Sequence, residues 1–141
     1  MAETFDKKSI NAEAARKMIE AAEAKAREIG IPMATTVVDA EGTLKAFSRM
    51  DGCALLPVQV SQDKAWTAIS FGVNSNDFWG MMKDNDQLRS YLPNVTRMAA
   101  IGGGAPLRTS DGQLVGGIGV SGGMMEDDMQ CMDAALAVFK G

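Results

Sequence analysis

The stretch Gly116 to Asp128, GGIGVSGGMMEDD, sets glycines at 117, 119 and 122 in the pattern G-x-G-x-x-G, with acidic residues and a helix-forming tail behind them. Two folds can use such a pattern. In a dinucleotide-binding unit the glycines turn a strand into a helix whose N-terminus cradles a pyrophosphate. That arrangement needs a βαβ unit of about 30 residues and an acidic residue about 20 positions further on. Otherwise, glycines thin a strand where a second backbone or a flat ligand comes close. Only 19 residues follow Gly122, so neither a second parallel strand nor the acidic residue is expected. The strand also emerges from Asp111-Gly112, a tight turn of the kind that joins antiparallel strands. No Gly-Lys-Ser/Thr follows, which excludes a P-loop. The stretch therefore reads as an antiparallel strand delivering Ser121, Gly122 and Gly123 to a helix start. Free amides and the positive end of the helix dipole there can hold an anion, or Glu126, Asp127 and Asp128 can simply complement that dipole.

The rest of the chain supports an antiparallel α+β domain. SINAEAARKMIEAAEAKAREIG reads as a helix capped by Ser9 or Asn11 and stopped by Gly30. Its Ala15, Met18, Ile19, Ala22 and Ala26 recur at helical spacing and form one apolar stripe. Met33–Val38 and Thr43–Arg49 form a hairpin around Asp39–Gly42, and a helix with Pro57 in its first turn runs to Gly72. One or two short helices follow, the first capped by Asn74 or Ser75. After Gly102-Gly103-Gly104 comes a second hairpin, and then a closing helix from Met125 to Phe139. On that helix Met125, Met129, Met132, Leu136 and Phe139 share a side. The order helix, hairpin, helix, irregular middle, hairpin, helix favours a single domain over residues 1–141, with a central antiparallel sheet flanked by helices.

Composition excludes much of the usual chemistry. The 141 residues contain no histidine, which removes Ser-His-Asp and Cys-His catalysis, histidine-ligated zinc and a histidine axial ligand for haem. Acid-base work falls to carboxylates, lysine, tyrosine or cysteine. The net charge of −4 and the absence of a basic cluster beyond Lys7-Lys8 argue against nucleic acid. No apolar run is long enough to span a membrane, and MAETFDKKS lacks an apolar signal core, so a cytoplasmic site is expected. Cys53 and Cys131 suggest neither a disulfide framework nor a metal site.

Four motifs in order, VVDAEGTLKAFSRMDG, DKAWTAISFG, GGGAPL and DGQLVGGIGVSGG with Asp128 beyond, resemble the GlcG/HbpS-type proteins. This is the haem-degrading domain family, to which the C-terminal domain of PduO-type corrinoid proteins belongs. The resemblance runs from about Ala12 to Phe139. It implies a profilin/GlcG-like fold in symmetric oligomers. For some members it implies binding of haem or a related tetrapyrrole, and for others a place in catabolic pathways. The matching positions are Arg49, Asp51 and Gly52, then Lys64 and Thr67, then Gly103, Gly104 and Pro106, and last Ser121, Gly122, Gly123, Glu126 and Asp128. Two departures stand out. No histidine is present for haem, and Leu56 and Pro57 stand where relatives are often smaller or more polar, which implies a rebuilt pocket wall.

The residues themselves allow several roles. Arg49 either pairs with Asp51 to fix a turn or clamps a ligand carboxylate. Lys64 shares a helix side with Val60, Thr67 and Phe71; it either pairs with Asp51 or Asp128, or serves as acid or base with a lowered pKa. Cys131 is a pocket-edge thiol or a buried hydrophobe. Trp66, Phe78, Trp79 and Tyr91 line a flat-ligand pocket, or belong to core or interface. The methionines fill irregular cores or subunit contacts.

Three functions follow. The first is a module binding a small organic ligand, with haem or a corrinoid held by a non-histidine mode. The second is a metal-independent isomerase, tautomerase or lyase acting on an organic acid. Its acid-base groups would be Lys64, Asp51 and Asp128; Arg49, Thr67, Gly103, Gly104, Glu126 and the Ser121–Gly123 amides would bind the ligand. The third is a homo-oligomeric accessory protein.

Overall fold

The computed structural model describes residues 2–141. Its centre is an antiparallel sheet of four strands, β1 (Ala34–Asp39), β2 (Leu44–Arg49), β3 (Gly104–Arg108) and β4 (Leu114–Ser121), in the order β2-β1-β4-β3. Helices α1 (Ala12–Ile29) and α5 (Met125–Val138) cover one face, and α2 (Leu56–Phe71) covers the other. Two short helices, α3 (Ser75–Met82) and α4 (Asp86–Tyr91), with a 3-10 turn at Leu92–Asn94, fill the segment between α2 and β3. This is the single-domain α+β architecture expected from the element order.

Local chemistry explains the boundaries. Asn11, not Ser9, caps α1: its side chain accepts the Ala14 amide at 2.8 Å, while the Ser9 hydroxyl accepts the amide of Ala40 at 3.0 Å. Gly30 ends the helix in the left-handed conformation, with φ of 77°. The first hairpin turns through Asp39, whose carboxylate accepts the amides of Glu41 and Thr43. Asn74 stands at the start of α3 without a capping bond. The neighbouring Ser75 is buried, accepts the Gly104 amide at 2.8 Å and donates to the Ile101 carbonyl.

The main core lies between the sheet and the α1/α5 pair. The expected stripe of α1 is buried in full, and its small residues meet Cys131, Met132 and Ala135 of α5. The stripe expected on α5 needs correction. The buried face of that helix is Asp128, Cys131, Met132 and Ala135, whereas Met125 is 44% exposed. Small residues turn inward because α5 packs closely on alanine-rich α1, and Met125 and Met129 lie instead against Gly102.

The second face is unlike the first. A Cβ on Gly117 would stand 2.7 Å from the Ala65 carbonyl oxygen; one on Gly119 would stand 2.7 Å from the Ala65 nitrogen and overlap the Ser61 carbonyl. One on Gly104 would overlap the Lys64 carbonyl. The backbone of α2 thus rests directly on glycines of β4 and β3, a seat no other residue allows. The glycine run serves helix packing, not a nucleotide.

Gly119→Ala is expected to cost about 3 kcal/mol or more, roughly 10 °C in melting temperature. Gly80→Ala, at an exposed helical position with open space around it, should gain about 0.5–1 kcal/mol. A Gly119→Ala protein that melts with the parent would show that α2 is not seated on the strand.

Candidate functional site

Seating α2 on glycine carries Lys64 below the protein surface. The residue is 1% exposed, and its ammonium donates to Asp128 Oδ2 at 2.8 Å and to the Val120 carbonyl at 3.0 Å. Asp128, 3% exposed, accepts the Gly123 amide on its other oxygen at 2.9 Å. Of the alternatives for Lys64, the partner is therefore Asp128 and not Asp51. An ammonium has three N–H donors. The third has no protein partner among the described residues, and Lys64 lines a cleft.

That cleft encloses about 450 Å³. Leu56, Pro57 and Val60 of α2, Ile101 and Met125 make apolar walls, and Lys64, Asp128, Ser121, Gly122 and Gly123 form the floor. Ser121 is 7% exposed, lines the cleft, and its hydroxyl has no protein partner among the described residues. Gly103 leaves room beside the amine, since a Cβ there would stand 2.8 Å from Lys64 Nζ.

Burial pulls the Lys64 ammonium below its usual range, and burial pushes the Asp128 carboxyl above its own. The hydrogen bond and charge that each offers the other oppose both shifts. Burial thus draws both groups toward their neutral forms, while the 2.8 Å contact favours the ion pair. Asp128 lies in the first turn of α5, where the helix dipole favours a carboxylate.

Two of the amides at the helix start are already taken by carboxylates of the chain. The Gly123 amide binds Asp128, and the Met124 amide binds Asp127 Oδ2 at 3.0 Å. The chain's own carboxylates occupy these donors.

The other sequence candidates are dispersed. Arg49 and Asp51 form no salt bridge and line a separate depression beside Glu23 and Arg27 of α1. Thr67 points to the opposite end of α2, donating to the Arg97 carbonyl at 3.2 Å and accepting the Ala99 amide at 2.8 Å. Gly103 and Gly104 lie against Lys64, while Glu126 is exposed and outside the cleft. No aromatic residue lines the cleft: Trp66 packs under Arg97, Phe78 meets Phe71 edge-on, and Trp79 and Tyr91 are exposed. Sequence reasoning missed Ile101 and Met125 as walls. The signal available for Ile101 was its position immediately before three glycines.

Cys131 is fully buried. Burial, helped by the charges of Asp128 and Asp127, pushes its thiol up to about 11. Burial also raises Cys53, against the lowering effect of Arg49. Since the folded value for Cys131 lies above the ordinary thiol value of 9.0, the stability this thiol contributes is intact below that pH and is lost as pH rises through about 11. At pH 8, thiol reagent should label the native protein at least about a hundredfold more slowly than the urea-unfolded chain. Comparable rates would contradict the burial of both thiols.

Comparison with known proteins places this geometry in a family. The family model described as "Haem degrading protein HbpS-like" matches residues 10–137. A 15.0 kDa protein of the dhaT-dhaS intergenic region of Citrobacter freundii is 34% identical over 132 residues, 93% of this chain and 92% of that protein. GlcG of Escherichia coli K12 is 33% identical over 112 residues, 79% of this chain and 81% of GlcG. The crystal structure of a PduOC:haem complex is 28% identical with a TM-score of 0.83, covering 93% of this chain and 95% of that one. The chain belongs to the HbpS-like family of haem-degrading proteins, together with GlcG and the PduO C-terminal domain.

Proposed function

We propose that the chain binds a flat, largely apolar, acid-bearing ligand of the tetrapyrrole class, haem or a corrinoid, in the cleft above Lys64. The observation that carries this reading is an apolar-walled space of about 450 Å³ with a buried cation at its floor. Ligand sites combine mostly apolar walls with a few placed polar groups. Leu56, Pro57, Val60 and Ile101 would take the ring, and the free N–H of Lys64 and the hydroxyl of Ser121 would take an acidic substituent. Kinship with the haem-bound PduOC structure supports the same class.

The donor set suits the ring better than the metal. With no histidine in the chain, the soft donor at the cleft is the Met125 thioether. A bound metal would supply redox or ligand-exchange chemistry, while this chain's residues hold and orient the ring. Exposed Phe71, Trp79, Met81, Leu88 and Tyr91 on α2 to α4 support self-association. A second reading, metal-independent proton transfer on an organic acid by an isomerase, tautomerase or lyase, is favoured by the Lys64–Asp128 pair drawn toward neutrality beside the cleft.

Titration with haemin, metal-free protoporphyrin and a corrinoid, followed by the Soret or corrin absorption, tests the ligand class. Haemin and the metal-free ring should both saturate at micromolar concentration, with affinities within about tenfold of each other. Val60→Asp should weaken both by about tenfold or more. Light scattering on the same samples should give a multiple of 14.9 kDa. Absence of any saturable shift would refute the tetrapyrrole reading, and binding of haemin alone would refute its metal-independent mode.

A further inference from the structure

A lysine at the base of an apolar cleft invites covalent chemistry that ligand binding does not require. Lys64 Nζ is anchored by two hydrogen bonds, at 2.8 Å to Asp128 and 3.0 Å to the Val120 carbonyl, which fix the nitrogen while leaving its third N–H without a protein partner among the described residues. Gly103 carries no side chain where a Cβ would stand 2.8 Å from that nitrogen, and Gly102 lines the cleft next to it. The carboxylate that can take the amine's proton is already in contact. The unpartnered hydroxyl of Ser121, 7% exposed, faces the same space.

We propose that Lys64 is a nucleophile that forms an imine with an aldehyde or ketone carried on an apolar body. The proposal rests on the cleft above Lys64 being the ligand site and goes beyond the tetrapyrrole reading of it.

The step balances without a redox partner. The Lys64 ammonium passes one proton to Asp128 Oδ2, the amine turns about Cε–Nζ so that its lone pair faces the cleft, and that lone pair forms the N–C bond as the carbonyl π bond breaks. The alkoxide oxygen takes one of the two protons remaining on the Lys64 nitrogen, with Ser121 as its hydrogen-bond partner, to give a neutral carbinolamine. Asp128 returns its proton as the C–O bond breaks, and water leaves. Carbonyl and ammonium have become a protonated imine and one water. A lysine desolvated in an apolar pocket is the form in which amines serve this role. The directions of the Lys64 and Asp128 shifts agree with the first proton transfer. The apolar walls select the body of the carbonyl compound: a ring or alkyl chain is accepted, and a small hydrated aldehyde gains nothing from them.

The test uses the full chain with benzaldehyde as the probe and cyanoborohydride as the trapping reductant, at neutral pH, read by peptide mass mapping. The reduced adduct should accumulate on Lys64 at least tenfold faster than on exposed Lys45 of β2. Ala54→Trp, an exposed position at the cleft mouth, should slow labelling of Lys64 at least tenfold and leave Lys45 unchanged. Labelling of Lys64 no faster than Lys45, or labelling indifferent to Ala54→Trp, would overturn the proposal. The two readings fail separately. If porphyrins bind while Lys64 stays unlabelled, the imine assignment falls alone. If Lys64 labels in a manner blocked by Ala54→Trp while porphyrins do not bind, imine chemistry stands and the tetrapyrrole reading falls.

Discussion

A helix backbone can lie directly on a strand only where that strand presents no side chain, and Gly117 and Gly119 provide this on the α2 face of β4. The site follows from that seating. With Ser61 and Ala65 pressed on the glycines, the intervening Lys64 cannot lie along the surface, and its stem runs inward past Gly119 and Gly103 to the end of β4. A bulkier strand would lift α2, and the amine could then reach solvent. The glycine motif thus acts at one remove from chemistry, by fixing the height of a helix.

Burying an ammonium is costly unless it is paired and hydrogen-bonded. Asp128 and the Val120 carbonyl meet that requirement, and Gly123 in turn holds Asp128. The same bonds tie the end of β4, the start of α5 and the middle of α2 into one floor. Because Lys64 and Asp128 carry opposite charges in direct contact, that floor carries little net charge. Its side-chain polar atoms without a partner among the described residues are one N–H of Lys64 and the Ser121 hydroxyl. Such a floor suits a single oxygen on an otherwise apolar ligand better than a phosphate.

Much of the fold was legible because its signals are local. The α1 stripe, both hairpin turns, Pro57 and the stops at Gly30 and Gly72 depend on residues close in sequence. The site was legible only in part. Lys64, Asp128, Ser121, Gly122 and Gly123 converge as expected, yet other candidates scatter for geometric reasons. Thr67 is one turn from Lys64, but the 97–99 loop captures its hydroxyl. Arg49 and Asp51 leave the edge strand toward α1. Glu126 and Asp128 are two apart on a helix, so they face different ways. The methionine stripe on α5 misled because the pattern assumes that charged residues point outward. Asp128 points inward, and its compensating charge lies 64 positions away in the chain.

The central claim is that Lys64 and Asp128 are one buried unit, and a double-mutant cycle measured by urea unfolding at pH 7 addresses it directly. Lys64→Met and Asp128→Leu should each cost about 3–5 kcal/mol, because each strands a buried charge. The double variant should cost less than either, with a coupling of about 3 kcal/mol or more. Single costs that are small, or that simply add in the double variant, would contradict the account.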